Sequence, residues 1–188
     1  PFKKPSNAYL RTVSFEKLGY EVKRVDISEA NNSKNILLKI YRRLDKPFLR
    51  RRVIKQIGID IKEFLPDLVF IEKGIFFNKN DIIFFKSFLK KNTKIVHLNP
   101  DDPFGDLRKG WKKFVSSISS YDVHFVPKEI NRQDYKERGA KEVLVYDRSF
   151  SPDYHRPIKM SENENTYFKS RIGFIGSYAP LREYMIYQ

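Results

Sequence analysis

The 188-residue chain contains no cysteine. That excludes disulfides, thiolate metal sites and cysteine nucleophilic catalysis, and it fits a cytoplasmic protein. No apolar run reaches the roughly 18 residues needed to span a bilayer. The opening residues lack the basic start, apolar core and small-residue cleavage site of a signal peptide. There is no internal repeat and no low-complexity segment. A Walker P-loop and an intact G-x-G-x-x-G are both missing. The three histidines and scattered acids show no metal-ligand spacing.

Acids are scarce as well: 23 against 37 Lys and Arg, a net charge of +14. A field of that sign favours nucleic acid, an anionic lipid surface or a phosphate-bearing substrate. Much of the excess lies in Lys39–Lys55 (KIYRRLDKPFLRRRVIK). That stretch reads either as a solvated helical face or as a patch for phosphates or a membrane surface, with a peripheral seat on the membrane in the second case. Hydrophobic residues make up 40% and aromatics 15%, enough for a folded core.

Five stretches read as buried parallel strands: Asp67–Lys73, Lys94–Asp102, Tyr121–Lys128, Glu142–Arg148 and Arg171–Tyr178. Segments of helical period separate them, and this alternation predicts a doubly wound, Rossmann-like α/β sheet. Helices are expected over Ala8–Leu18, Lys34–Leu44, Pro47–Leu65, Asn80–Lys91, Trp111–Ser119 and Ile130–Arg138, with Gly19 and Gly139 as stops. Gly58 weakens its helix by about 1 kcal/mol relative to alanine. Tyr20–Ile27 (YEVKRVDI) alternates and reads as a further strand, and the polar stretch Ile158–Ser170 reads as a linker. The expected division is a domain over 1–157, a linker over 158–170 and the first unit of a second Rossmann-like domain over 171–188. A loop feeding a helix at the start suits a doubly wound domain that has already laid down a first, central strand. The chain therefore reads as a fragment.

Ligands of open α/β sheets bind beyond the carboxyl ends of the strands, so the residues there are the candidates. Glu72 and Lys73 precede Gly74 and can enter a cleft, or simply mark where the strand meets solvent. Asn99, Asp101 and Asp102, in NPDDPFG, can orient a sugar hydroxyl or supply a general base. The same residue types also build turns. Lys128 and Arg148 end the next two strands, and all seven residues are expected to line one cleft. His97 and His124 alternate with apolar neighbours and read as core histidines; His155, in a loop, is a weak signal. Gly176, Ser177 and Tyr178 sit at a strand-to-helix turn where backbone N–H groups can receive a phosphate, and Arg182 can add a charged fork.

Taken in order, PDLVFIEKG (66–74), LNPDDPFG (98–105), YDVHFVPKEINRQDYKERGAKEV (121–143), FSPDYHRP (150–157) and IGFIGSYAPLRE (172–183) resemble the CgeB-type (spore maturation protein B-like) glycosyltransferases. These are GT-B enzymes of two Rossmann-like domains. The resemblance runs from about Leu18 to the end, and the basic stretch 39–55 has no counterpart in the pattern. It implies an N-terminal domain that holds the acceptor and a C-terminal domain that holds a nucleotide-sugar. Transfer would occur in the cleft between them, with no essential metal and no cofactor besides the donor. The acceptor would be a sugar, a lipid-linked group or a protein. On this resemblance Asp102, Asp101 and Glu72 are the catalytic candidates, and Lys73, Asn99, Lys128 and Arg148 the substrate-binding ones. Gly176, Ser177, Tyr178 and Arg182 would bind the donor phosphates. Without its first strand and most of the donor domain, the fragment is not expected to be a competent catalyst. Two other readings stay open: a basic nucleic-acid-binding protein, which lacks the usual reader motifs, and a catalytically silent Rossmann-like interaction module.

Overall fold

The computed structural model describes residues 6–27, 47–104 and 110–170. The chain divides into two compact units, Pro1–Ser151 and Pro152–Gln188. The helix predicted over 34–44 and the strand predicted over 171–178 lie outside the described residues.

In the first unit, α1 spans Asn7–Lys17 and α2 spans Pro47–Phe64. Ser6 caps α1 by accepting the Tyr9 N–H at 3.3 Å, and Gly19 follows its end at φ 87°. β1 (Leu68–Glu72) leads to α3 (Lys79–Lys86), which opens with a capping box between Asn78 and Asp81. The predicted helix ran on to Lys91. From Ser87 the chain tightens instead into i→i−3 bonds (Phe88 N–H to Phe85 O, Leu89 N–H to Lys86 O). The Ser87 hydroxyl takes the Phe84 carbonyl at 2.7 Å and competes with the α-helical ladder there. β2 (Lys94–Leu98), α4 (Lys112–Ser117) with a 3₁₀ turn at Ile118–Ser120, β3 (Val123–Val126), α5 (Glu129–Glu137) and β4 (Val143–Val145) complete the unit.

The four strands form one sheet in the order β1-β2-β3-β4, every pair parallel. Successive strands are neighbours; α2 to α5 pack on one face, and α1 meets the other at β1. Successive side chains of a strand point to opposite faces. On one face Ile71, Ile95, Val126 and Val143 join a single cluster with Ile57 of α2, Phe85 of α3, Phe114 of α4 and Tyr135 of α5. On the other, Phe70 meets Phe15 of α1 edge-on, with ring centroids 5.6 Å apart. Gly58 earns its place in α2 through packing: a Cβ there would lie 2.8 Å from Phe84 and 3.0 Å from Phe88.

The predicted strand Tyr20–Ile27 is not formed; the segment is irregular. Its side chains are nonetheless anchored. Tyr20 packs on Phe15, Arg24 pairs with Glu16 at 2.5 Å, and Lys23 pairs with Asp60 of α2 at 3.0 Å. Alternation alone does not make a strand; it needs a neighbouring strand to pair with, and among the described residues no strand is laddered to this segment.

At the amino ends of the strands, Asp122 accepts from Lys86 Nζ at 2.7 Å, the Ile95 N–H at 2.8 Å and Lys141 Nζ at 3.0 Å. Burial works against this carboxylate, but those donors outweigh it and hold its pKa at about 2.

In the second unit, Pro152–Pro157 forms turns and bends, and the predicted linker contains a short helix, α6 (Glu162–Phe168). Ser161 and Glu164 close a capping box at its start, a serine-to-glutamate spacing present in the sequence SENE.

Candidate functional site

The carboxyl end of β1 carries a strong local constraint. After Glu72 the backbone turns through Lys73 at φ 63° and Gly74 at φ 58°. The Gly74 N–H reaches back to the Glu72 carbonyl at 2.8 Å, closing a tight γ-turn around Lys73. A lysine in that left-handed region costs about 1–2 kcal/mol, so neighbours must hold it. The Lys73 N–H donates to Leu98 O at 2.9 Å, extending the sheet ladder, and its carbonyl lies 3.1 Å from His97 Nε2. Glycine is required next, because a Cβ at 74 would sit 3.0 Å from Tyr121 Oη.

His97 and His124 are core residues, as their alternation predicts. Both are fully buried, with their Nδ1 atoms 3.1 Å apart and His124 Nε2 2.9 Å from Ile118 O. Burial lowers the His97 pKa to about 3, with the neighbouring His124 adding to the effect. Burial likewise lowers His124 to about 4. Burial thus disfavours the charged form of both rings. They serve the site by backing the Lys73 turn.

Above this support stands a group of charged side chains. Glu72 pairs with Arg11 of α1 at 2.6 Å, and Lys73 pairs with Asp101 at 3.1 Å. Tyr146, the residue after β4, senses all of this edge. Its pKa is raised by burial, lowered by Arg11 and Arg148, and raised by Glu72 and Asp101. The structure thus brings Glu72, Lys73, Asp101 and Arg148 into one electrostatic neighbourhood and adds Arg11 and Tyr146. Sequence reasoning missed both additions. Tyr146 carried the same signal that selected Arg148, a position just past a strand. Arg11 carried only its place beside buried Leu10 on a helix entering at this edge.

The remaining candidates behave differently. Asn99 is buried; its amide donates to Tyr135 Oη at 3.2 Å, and its oxygen accepts the Asp101 N–H at 3.1 Å. Its side chain shapes the loop from beneath. Asp102 Oδ1 accepts the Phe104 N–H at 2.9 Å, and its charge contributes, after burial, to the raised pKa of Tyr135. The turn-forming chemistry of NPDDPFG is therefore realised at Asn99 and Asp102. Lys128 is exposed immediately before α5, and among the described residues no ion pair joins it to the Glu72–Asp101 group.

Gly176, Ser177, Tyr178 and Arg182 lie outside the described residues, as do residues 39–46 of the basic stretch. Within its described part, Arg50 pairs with Asp81 and lies over the Phe76 ring, while Arg51, Arg52 and Lys55 are exposed. Among the described residues no three potential metal ligands gather, and no helix is long and apolar enough to cross a membrane. Comparison with protein-family models, curated proteins and solved structures finds no match.

Proposed function

We propose that the carboxyl edge of this sheet is the acceptor side of a glycosyl-transfer site. The enzyme would be of GT-B type, moving a sugar from a nucleotide-sugar to a sugar, lipid-linked or protein acceptor. The observation that carries the reading is the convergence of Arg11, Glu72, Lys73, Asp101 and Tyr146 at the strand ends, around a strained lysine turn. Such an edge is where open α/β sheets bind ligands. The ordered motifs of the sequence support the glycosyltransferase assignment.

In this reading the acceptor hydroxyl attacks the anomeric carbon as the bond to the diphosphate oxygen breaks, through an oxocarbenium-like transition state. The leaving nucleoside diphosphate takes the bonding pair, and a carboxylate takes the hydroxyl proton. Asp102 is the first choice for that base, since among the described residues only one of its oxygens is engaged, by the Phe104 N–H. Asp101 and Glu72 are held by Lys73 and Arg11 and are suited to orienting sugar hydroxyls. Arg148 and Lys128 supply positive charge along the edge. The diphosphate role of Gly176, Ser177, Tyr178 and Arg182 rests on sequence alone.

The test is incubation of the full-length gene product with a panel of nucleotide-sugars, following nucleoside diphosphate release. Release from one donor is expected; silence across the panel with a range of acceptors contradicts the reading. One observation favours a non-catalytic interaction module instead: two of the three candidate carboxylates are already paired with cations.

A further inference from the structure

Two kinds of cation lie around α2 and α3. Lys23, Arg50 and Lys86 each meet a carboxylate. Arg51, Arg52, Lys55 and Lys62 of α2 and Lys79 of α3 are exposed, and among the described residues none of them forms an ion pair. At about 100° per residue, Arg51, Arg52, Lys55, Ile59 and Lys62 fall within an arc of about 100° on α2. Ile54, Ile57 and Ile61 point the other way, into the core. Glu63, the one exposed acid of α2, lies past Arg52 on the side away from Gly58, which faces α3.

The two helices share one sheet face. Ile82 and Phe85 of α3 enter the same core cluster as the α2 isoleucines, and Gly58 lets α2 close on Phe84 and Phe88. Their outward faces therefore form one surface, on which Lys79 and Ile83, one turn apart on α3, extend the arc of α2. Among its cations stand two aliphatic side chains in water, Ile59 at 47% and Ile83 at 51% exposure. The residues just ahead of α2 carry Lys39, Arg42, Arg43 and Lys46 against Asp45, so that stretch adds positive charge and does not supply the counter-charge. A surface of this kind calls for an anionic partner that also accepts aliphatic groups. Nucleic acid meets the first condition only: its single strands are held on aromatic platforms, and the exposed apolar side chains here are isoleucines. An anionic bilayer meets both, since its headgroups take the cations and its interface takes the isoleucines and the lysine and arginine stems.

We infer that the outer face of α2 and α3 docks on an anionic lipid bilayer, with Arg51, Arg52, Lys55, Lys62 and Lys79 against the headgroups and Ile59 and Ile83 entering the interface. The attraction is electrostatic at long range and weakens with salt, while the two isoleucines fix which face meets the lipid. This surface is independent of the glycosyl-transfer reading.

The test is co-sedimentation of the 188-residue chain with vesicles of equal parts phosphatidylcholine and phosphatidylserine, beside vesicles of phosphatidylcholine alone. Binding to the anionic vesicles only is expected, weakening about fivefold for each cation removed from the face. The triple variant Arg52→Glu, Lys55→Glu, Lys62→Glu, with its folding checked by circular dichroism, should bind about a hundredfold more weakly or less. Orientation is read separately. The chain has no cysteine, so Ile59→Cys can carry a single environment-sensitive fluorophore. Its emission should brighten on the anionic vesicles, while the same label on Leu18→Cys, beyond α1 on the other side of the sheet, should not change. This pair of labels decides the matter even if the triple variant fails to fold. The inference is overturned if the chain ignores anionic vesicles at low ionic strength, binds the neutral ones equally, or binds with the folded triple variant unimpaired. It also falls if the label at position 59 stays unchanged on bound protein, or if single- or double-stranded oligonucleotides bind more tightly than the vesicles at the same ionic strength, which assigns the face to nucleic acid.

Discussion

The two ends of the sheet use charge in opposite ways. At the amino ends, one carboxylate, Asp122, collects two lysines and a backbone N–H and is driven to a pKa of about 2. At the carboxyl ends, Glu72 and Asp101 each meet one cation, beside a lysine held in a strained turn. A saturated network is what stability requires, and this end too has a residue at positive φ, Leu65 at 49° just before β1. Single pairs on a strained, partly exposed loop contribute little to stability, since such ion pairs are worth about 0–1 kcal/mol. The contrast supports the proposal that the carboxyl edge is the binding end, in line with where open α/β sheets place their sites.

The sharpest way to separate the ends is acid, because they are supported by groups that titrate in different ranges. In the unfolded chain the imidazoles of His97 and His124 titrate near 6.5; folding lowers them to about 3 and about 4. The folded protein therefore binds fewer protons in this range, and the stability present above pH 6.5 is lost as pH falls. By pH 5 the loss is on the order of a few kcal/mol for the coupled pair. Asp122 behaves separately: its depressed pKa contributes stability above about 4 that disappears as pH falls through about 2. Urea denaturation at a series of pH values should show the histidine loss first. The double variant His97→Asn, His124→Asn should flatten the slope between pH 6.5 and 5. An equal slope in the double variant would mean that other groups drive acid unfolding.

Next in size is Asp122→Ala, which strands three donors at the amino end and should cost about 2–3 kcal/mol. Denaturant midpoints measure it, and a change below about 0.5 kcal/mol would remove the network from the stability account. Gly74→Ala places a Cβ in a left-handed residue against Tyr121 Oη and should cost about 1–2 kcal/mol. Lys73→Gly goes the other way. It relieves the left-handed strain and should raise stability by up to about 1 kcal/mol, while reducing turnover if the Lys73–Asp101 pair positions substrate. A variant that is both less stable and fully active would break the contrast between the ends.

The fold was legible where one physical signal dominated. β1, β2, β3 and β4 announced themselves as short apolar runs between helical periods, and His97 and His124 as polar residues in apolar alternation. Tyr20–Ile27 was misread because alternation records which faces a segment can bury and says nothing about whether a neighbour supplies its hydrogen bonds. The end of α3 was overrun because the competing Ser87 hydroxyl is a local contact without a periodic trace. Of the strand-end candidates, Glu72, Lys73, Asp101 and Arg148 lie near one another at one edge. Asn99 was read as a substrate-facing residue, whereas its side chain is turned inward to Tyr135. Arg11 was invisible because a pairing across 61 residues of sequence is decided by how α1 crosses β1. The Lys73 turn was equally hidden: nothing in EKG marks a lysine as left-handed, since the constraint comes from His97 and Leu98 on the neighbouring strand.

The central claim is that function resides at the carboxyl edge and not in the charge network at the other end. Its most direct test is turnover of Asp102→Asn beside Asp122→Asn in the full-length gene product, measured as nucleoside diphosphate release from the best donor, at a temperature where both variants are folded. The account predicts a fall of about 10²-fold or more for Asp102→Asn, the scale of a lost general base, with Asp122→Asn close to wild type. Equal falls in the two variants, or an unchanged rate in Asp102→Asn, would contradict it.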